Sequence, residues 1–428
     1  MYRVKFIFKI LLFIFNVIFF STLAFSTELD FEVVVHNEGA STKNLIFHTM
    51  NNQFLTILDS NLVPYWQIKV DEIGLDFKVN QNNLTYFQKD STSWIVLNSE
   101  MKEVDTLKCT NGLKADYHDI QLLVNGGYIL QSYHDEIMDM SQYIPNGYTN
   151  AVVNELVIQE FDVNHNLIFE WYAHDHLNIG DYSTLNLFLA DFTWMHGNSI
   201  EVDFDENLIL SNRRSSEAIK IDRNTGDVIW ILGGPMSDFT FLHDSFNGFS
   251  KQHDVRRLQN GNILIFDNGT QHTPQISRII EYELNIDNMT ADLIWEYSHP
   301  EEYVGLSMGS VQRLENGNTL INWGNISNSG AIVTEVNMEK EIVMELHFPM
   351  GNNIYKVRKN DWQFNIDLMK ADLNLDQIIN ILDILAVVNI ILDSNSSSTA
   401  FQLFKSDLNN DGEINIADII IMITLILE

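Results

Sequence analysis

Residues 252–270 read "QHDVRRLQNGNILIFDNGT". A histidine opens the stretch, apolar positions lead to an Asn-Gly pair, and a second apolar run closes on Asp-Asn-Gly. Apolar runs of strand length on either side of Asn-Gly predict a β-hairpin with a two-residue turn of positive φ. The pattern recurs. "HDIQLLVNGGYIL" (118–130) and "SVQRLENGNTLI" (310–321) repeat it, and "HGNSIEVDFDENLIL" (196–210) is a looser copy.

Each hairpin is followed by a second strand-turn-strand pattern rich in aromatics near its end. These are "VIQEFDVNHNLIFEWY", "AIKIDRNTGDVIWIL", "IIEYELNIDNMTADLIWEY" and "AIVTEVNMEKEIVMELHF". Two hairpins per unit make four antiparallel strands. Two further units are read upstream, in 45–70 and 75–109. About six repeats of four strands predict an all-β, six-bladed β-propeller. A large β-sandwich is the alternative that strand counting leaves open.

The chain has 428 residues, enough for more than one core, with 45% hydrophobic and 11% aromatic residues. Residues 1–26 start with Arg3, Lys5 and Lys9, continue apolar, and carry Ala24 and Ser26 at cleavage offsets, the pattern of a secretory signal peptide. An uncleaved membrane anchor is the alternative. Export places the mature protein outside the cytoplasm: secreted, periplasmic or at the cell surface. The formal net charge is −33. Nucleic acid, a polyanion, is excluded as a natural partner, and any anion site must be a local island of cations. The single cysteine, Cys109, cannot form an internal disulfide and is expected in the core.

The texture changes near residue 365. The propeller is placed at 27–365 and a second module at 366–428. "DLNLDQIINILDILAVVNIIL" and "DLNNDGEINIADIIIMITLIL" are two copies of one loop-helix motif, joined across the polar "DSNSSS". In the second, Asp407, Asn409, Asp411, Glu413, Asn415 and Asp418 have the spacing of a calcium loop, with Gly412 at the bend. Asp372, Asn374, Asp376, Asn380 and Asp383 repeat it, with Gln377 where glycine is usual. This duplicated motif, with aspartate at its last ligand position, resembles the type I dockerin repeat. The resemblance implies a small all-α module that binds Ca2+, using the Glu413 carbonyl and Asn415 through water, and docks onto a cohesin-bearing scaffold or cell-surface protein.

Within the propeller, "HGNS", "SNR", "IDRNTGDVIWILGG", "QHDVR", "FDNG" and "SRIIEY" occur in that order. At these residues the chain resembles the arylsulfotransferase family, over about residues 40–348. The family moves a sulfuryl group from a phenolic sulfate ester to a phenol acceptor without a nucleotide donor. By this resemblance His196 and His253 match active-site histidines, Arg278 matches the sulfate-contacting arginine, and Arg213 lies in a matching stretch. The chemistry is consistent with those residue types: arginine clamps sulfuryl oxygens, and imidazole can act as nucleophile or proton donor.

One departure stands out. The family's sulfated histidine is expected near "SMGSVQRLENGNTLINWGN", which here offers Ser307 and Ser310 and no histidine. His299 is the nearest candidate. His118 and His134 are read as turn-capping residues, Asp267, Asn268 and Gly269 as possible turn closers, and one of Arg256 and Arg257 at most as facing a shared pocket. A non-catalytic propeller that binds an anionic, sulfated ligand is a competing function. So is a sulfatase or other hydrolase in a polysaccharide-degrading assembly.

Overall fold

In the computed structural model the described residues are 30–51, 53–70, 76–182, 185–363, 370–374, 376, 378–392, 405–409 and 413–427. The expected signal peptide, 1–26, and the expected loop residues Gln377, Asp411 and Gly412 lie outside them.

The opening stretch forms strands His253–Arg257 and Ile263–Asp267, antiparallel as expected. Its turn is one residue longer than expected. Leu258 donates to the Asn262 carbonyl (2.9 Å) and Gly261 to the Leu258 carbonyl (2.8 Å), with Gly261 at φ 89°. This is a three-residue loop whose last position is left-handed, and glycine fills that position. Asn260 serves through its side chain, accepting the Asn262 N–H at 3.0 Å. The 118–130 and 310–321 hairpins repeat the geometry at Gly126 (φ 86°) and Gly317 (φ 89°).

Among the described residues six sheets result, each a blade of antiparallel strands, with short parallel strands Asp191–Thr193 and Thr240–Leu242 added to the third and fifth. In chain order the inner strands of blades two to six are Lys78–Asn80, Ala115–Leu122, Gly197–Val202, His253–Arg257 and Ser310–Arg313. Blade one takes its inner strand, Ile354–Asn360, from the far end of the propeller sequence, where it pairs with Asn44–Thr49. The N-terminal strand Glu32–His36 in turn adds to the outer edge of blade six, against Ile342–His347. The ring is thus closed by hydrogen bonds at two places, which leaves few free edges to aggregate.

Apolar side chains pack between neighbouring blades rather than in one centre. Trp66 and Phe77 belong to the cluster joining blades one and two, Trp94 and Phe161 to that of two and three, and Trp171 and Ile219 to that of three and four. Trp230 and Tyr282 join four and five, and Phe266 and Trp323 join five and six. Cys109 is half-buried beside the second of these clusters, not in its core, and burial pushes its thiol up to about 12.

The C-terminal module contributes helices Ile381–Leu392 and Ile416–Leu427, which share a small core of Ala371, Ile384, Val387, Ile419 and Met422. Its two repeats are cross-tied. Lys370 donates to the Asp407 carbonyl (2.7 Å) and Lys405 to the Asp372 carbonyl (2.6 Å). Among the described residues no helix is long and apolar enough to cross a membrane.

Candidate active site at one end of the channel

The inner strands of blades three, four and five begin at the same end of the channel, and each begins irregularly. Register shifts fall between the residues opposite Leu130 and Ser132, between Gly197 and Ser199, and between His253 and Arg256. Such bulges re-aim side chains that a regular strand would alternate. The result is a histidine cluster. The rings of His118 and His196 meet edge to face at 4.6 Å, and Tyr355 lies 5.6 Å from His118 and 6.3 Å from His253. The inner strand of blade six is regular, and Ser310 there is tied to Val357.

Each imidazole has a different setting. The His118 Nδ1 bonds Asp116 Oδ1 at 2.6 Å, and Gln131 also donates to that oxygen (3.0 Å). Burial pushes the Asp116 carboxyl up, but the charge and hydrogen bonds of His118 outweigh it and hold it below its ordinary value. His253 is nearly fully buried, with Nδ1 on Asn268 Oδ1 at 2.6 Å. Asn268 spends its amide N–H groups on the Gly305 and Met308 carbonyls, so its oxygen is the acceptor and Nδ1 of His253 carries the proton. That leaves Nε2 with the lone pair, on which the Met308 N–H rests at 3.2 Å. Burial, aided by Arg213, lowers His253 well below the usual imidazole range. His196 is pushed down to about 3 by burial, His118 and the arginines, against the opposing pull of Asp116. Both are neutral bases at neutral pH.

Arg213 follows the outward turn of blade four. One guanidinium N–H donates to the Leu306 carbonyl at 3.0 Å, while the buried Nε has no hydrogen-bond partner among the described residues. Among the described residues Arg213, Arg214 and Lys251 meet no carboxylate, whereas the arginines and lysines deeper in the channel are all paired. This is the cationic island that the net charge requires of an anion site.

Arg278 must be reassigned. Its side chain is 0% exposed, with Nε on Asp267 (2.9 Å), one terminal nitrogen on Asp244 (2.8 Å) and Glu296 (3.1 Å), the other on the Gly248 carbonyl (2.7 Å), and Phe246 over its face. A guanidinium so saturated has no donor left for a sulfuryl oxygen. It braces the Asp267–Gly269 segment, Asp267 accepting the Ser250 and Gly269 N–H groups (2.9 Å each), and so supports Asn268.

The other sequence expectations separate cleanly. His299 is outside the cluster, bonded to Glu345 (2.9 Å) and stacked on Tyr303, so it is no substitute nucleophile. His134 is half-exposed against Glu136. Arg256 pairs with Asp119, Asp254 and Glu201, and Arg257 with Asp203, so neither is free for a pocket. His118, read as a turn cap, lies in the cluster instead. The missed signal was "HDIQLL" matching "HDVRRL": the two histidines hold the same position in their hairpins. Asp116, Lys251 and Tyr355 lie in none of the quoted motifs, and Asn268, read in "FDNG" as a turn closer, shows its place beside His253 only once the blades are assembled.

In the C-terminal module the last-position aspartates are drawn onto their own loops. Asp383 accepts the Leu373 (2.8 Å), Asn374 (3.2 Å) and Asn380 (2.9 Å) N–H groups, and Asp418 accepts those of Leu408 (2.8 Å) and Asn415 (2.9 Å). Each of these aspartates thus ties the start of its loop to the start of the helix that follows. Among the described residues no group of three His, Cys, Asp or Glu is arranged as a metal site. The expected ligand Asp411 is not among those residues.

An arylsulfotransferase (ASST) family model matches residues 31–357, and a type I dockerin domain model matches residues 370–427. No curated protein matches the chain. Among solved structures, a protein of unknown function from Bacteroides caccae is 12% identical, with 74% of this chain and 98% of that chain covered and a TM-score of 0.46. A streptogramin B lyase structure is 10% identical over 76% of this chain and 89% of that one, at a TM-score of 0.41. A catalytically inactive virginiamycin B lyase from Staphylococcus aureus, crystallised with quinupristin, is 7% identical over 76% of this chain and 89% of that one, at a TM-score of 0.39.

Proposed function

The chain belongs to the arylsulfotransferase family and ends in a type I dockerin domain, and we propose that it transfers a sulfuryl group from a phenolic sulfate ester to a second phenol. The observation that carries this reading is the meeting of three imidazoles and an arginine without a carboxylate at one end of the channel.

In the proposed reaction Arg213 and the ring N–H of His196 hold the sulfuryl oxygens. The Nε2 lone pair of His253, once it lets go of the Met308 N–H, attacks sulfur, and the bond from sulfur to the phenolic oxygen breaks with its electron pair on that oxygen. His118, steadied by Asp116, gives the departing phenolate a proton. An incoming phenol then returns its proton to His118 as its oxygen attacks the sulfur. The N–S bond breaks, and the pair returns to Nε2. The leaving group and the acceptor are both phenols, so one acid-base residue serves both half-reactions. Arg213 meets charge where it develops, in a site shielded from water.

Asp372, Asn374, Asp376, Asn380, Asp383 and their counterparts Asp407, Asn409, Asp411, Glu413, Asn415 and Asp418 would hold Ca2+. The ion supplies charge neutralisation that lets these carboxylates share one loop. With an N-terminal signal for export, this makes a secreted or surface-bound enzyme tethered to a cohesin-bearing partner.

A second reading, binding of an anionic ligand without transfer, is favoured by one detail: the Met308 N–H occupies the His253 lone pair. A chromogenic aryl sulfate, supplied with and without a phenol, separates the alternatives. Release that depends on the phenol is the expected result. Release without it indicates a sulfatase, and no release under either condition overturns the transferase reading.

A further inference from the structure

One sulfuryl group needs one clamp, and the histidine end carries three cations. Arg213 lies among the imidazoles, while Arg214 is exposed and Lys251 half-buried at the rim. Both rim residues are fixed relative to the histidines. The Arg214 N–H shares Asn212 Oδ1 with the N–H of His196 (3.2 and 3.0 Å). Lys251 stands two residues before His253 with its N–H on Ser216 Oγ (3.0 Å) and its backbone at φ 54°, a conformation uncommon outside glycine. Its ammonium donates to the Arg214 carbonyl at 2.6 Å.

Like charges gathered without counter-ions oppose folding, and the cost shows: burial, Arg213 and Arg214 push Lys251 down to about 8. The chain holds 58 acidic residues against 25 basic ones, and no carboxylate among the described residues answers this trio. A second anion alongside the sulfuryl group would.

We infer that Arg214 and Lys251 form a rim subsite for a substrate carboxylate, so that the preferred aryl sulfates and phenol acceptors are phenolic acids. This rests on the sulfotransferase reading for its reaction, but its binding component does not.

Two donors isolate the effect, 3-(4-sulfooxyphenyl)propanoate and the corresponding 3-(4-sulfooxyphenyl)propanamide, whose side chain is uncharged. Their leaving phenols are alike, because the saturated linker keeps the carboxylate out of the ring. For the full-length protein the ratio of kcat/KM should favour the carboxylate about tenfold, the scale of two partly exposed charge pairs, and should shrink with added salt. Lys251→Gln and Arg214→Gln should each collapse most of that ratio, and Lys251→Arg should keep it. Lys340→Gln, on blade six over Trp295, removes one charge elsewhere and should leave it unchanged. Calorimetric titration with the same two compounds reads the preference without turnover. Tighter binding of the carboxylate in an inactive protein would sustain the subsite and overturn the transferase reading. Equal kcat/KM and equal affinity for both compounds would overturn the subsite and leave transfer standing.

Discussion

Lys356 and Arg213 are both cations on the channel, and they live in different chemistry. Lys356 is fully buried, bonded to Asp119 (3.1 Å) and the His118 carbonyl (2.9 Å), in a belt where Arg256 meets Asp119 and Asp254 and Arg358 meets Asp254. Burial pulls the Lys356 ammonium below its ordinary value even with two aspartates beside it. Arg213, at the histidine end, has one carbonyl and no carboxylate. The cations of the belt all meet carboxylates. The histidine end is incomplete in charge, which is what an anion site requires before its substrate arrives. Paired cations stabilise the fold only marginally but are costly to break, whereas unpaired ones are available for function.

That contrast can be broken from either side. The largest effect should come at His253, whose replacement removes the attacking atom. His253→Ala should lower acceptor-dependent turnover by about a thousandfold or more, measured at saturating donor. Arg213→Ala should cost about a hundredfold in kcat/KM, the usual scale for losing a transition-state donor, with thermal unfolding unchanged. His118→Ala should cost about tenfold to a hundredfold, as for an acid-base group.

At the belt the outcome reverses. Lys356→Met takes a cation from buried Asp119 (3.1 Å) and Asp76 (3.8 Å) and should destabilise the propeller by about 3–5 kcal/mol in denaturant titration, with turnover per folded molecule retained. Equal losses of rate from Lys356→Met and Arg213→Ala would erase the distinction.

A smaller effect separates buried histidines from site histidines by pH. His48, in blade one, is 0% exposed with neither ring nitrogen bonded, and burial takes it from 6.5 to about 3. Its folded value is depressed, so its contribution is complete above pH 6.5 and is lost as pH falls toward 3. Between pH 6.5 and 5 the loss should be about 2 kcal/mol from this residue. His48→Leu should remove that part of the acid sensitivity in denaturant titrations and leave the part due to His196 and His253.

The blade count and the two dockerin repeats were legible because they depend on local periodicity and turn chemistry, which repeat along the chain. The strand that completes blade one was not, since Ile354–Asn360 pairs with residues about three hundred positions earlier and no local pattern announces it. The histidines were half-legible. His196 and His253 sit in recognisable stretches, but the role of His118 depends on a bulge that turns it toward His196. Arg278 misled for the opposite reason: an arginine in a matching motif cannot be told from a clamp until its three carboxylates are seen.

The central claim is that His253 is the atom-bearing nucleophile of a transfer site whose arginine is Arg213. Incubating the full-length protein with an aryl sulfate and no acceptor, quenching in base and mapping peptides by mass spectrometry tests it directly. The account predicts one sulfuryl group on the peptide that contains His253, lost when a phenol is added before quenching and absent in His253→Ala. A sulfuryl group on His118, His196 or His299, or transfer of the sulfuryl group to the acceptor without the protein ever carrying it, would contradict it.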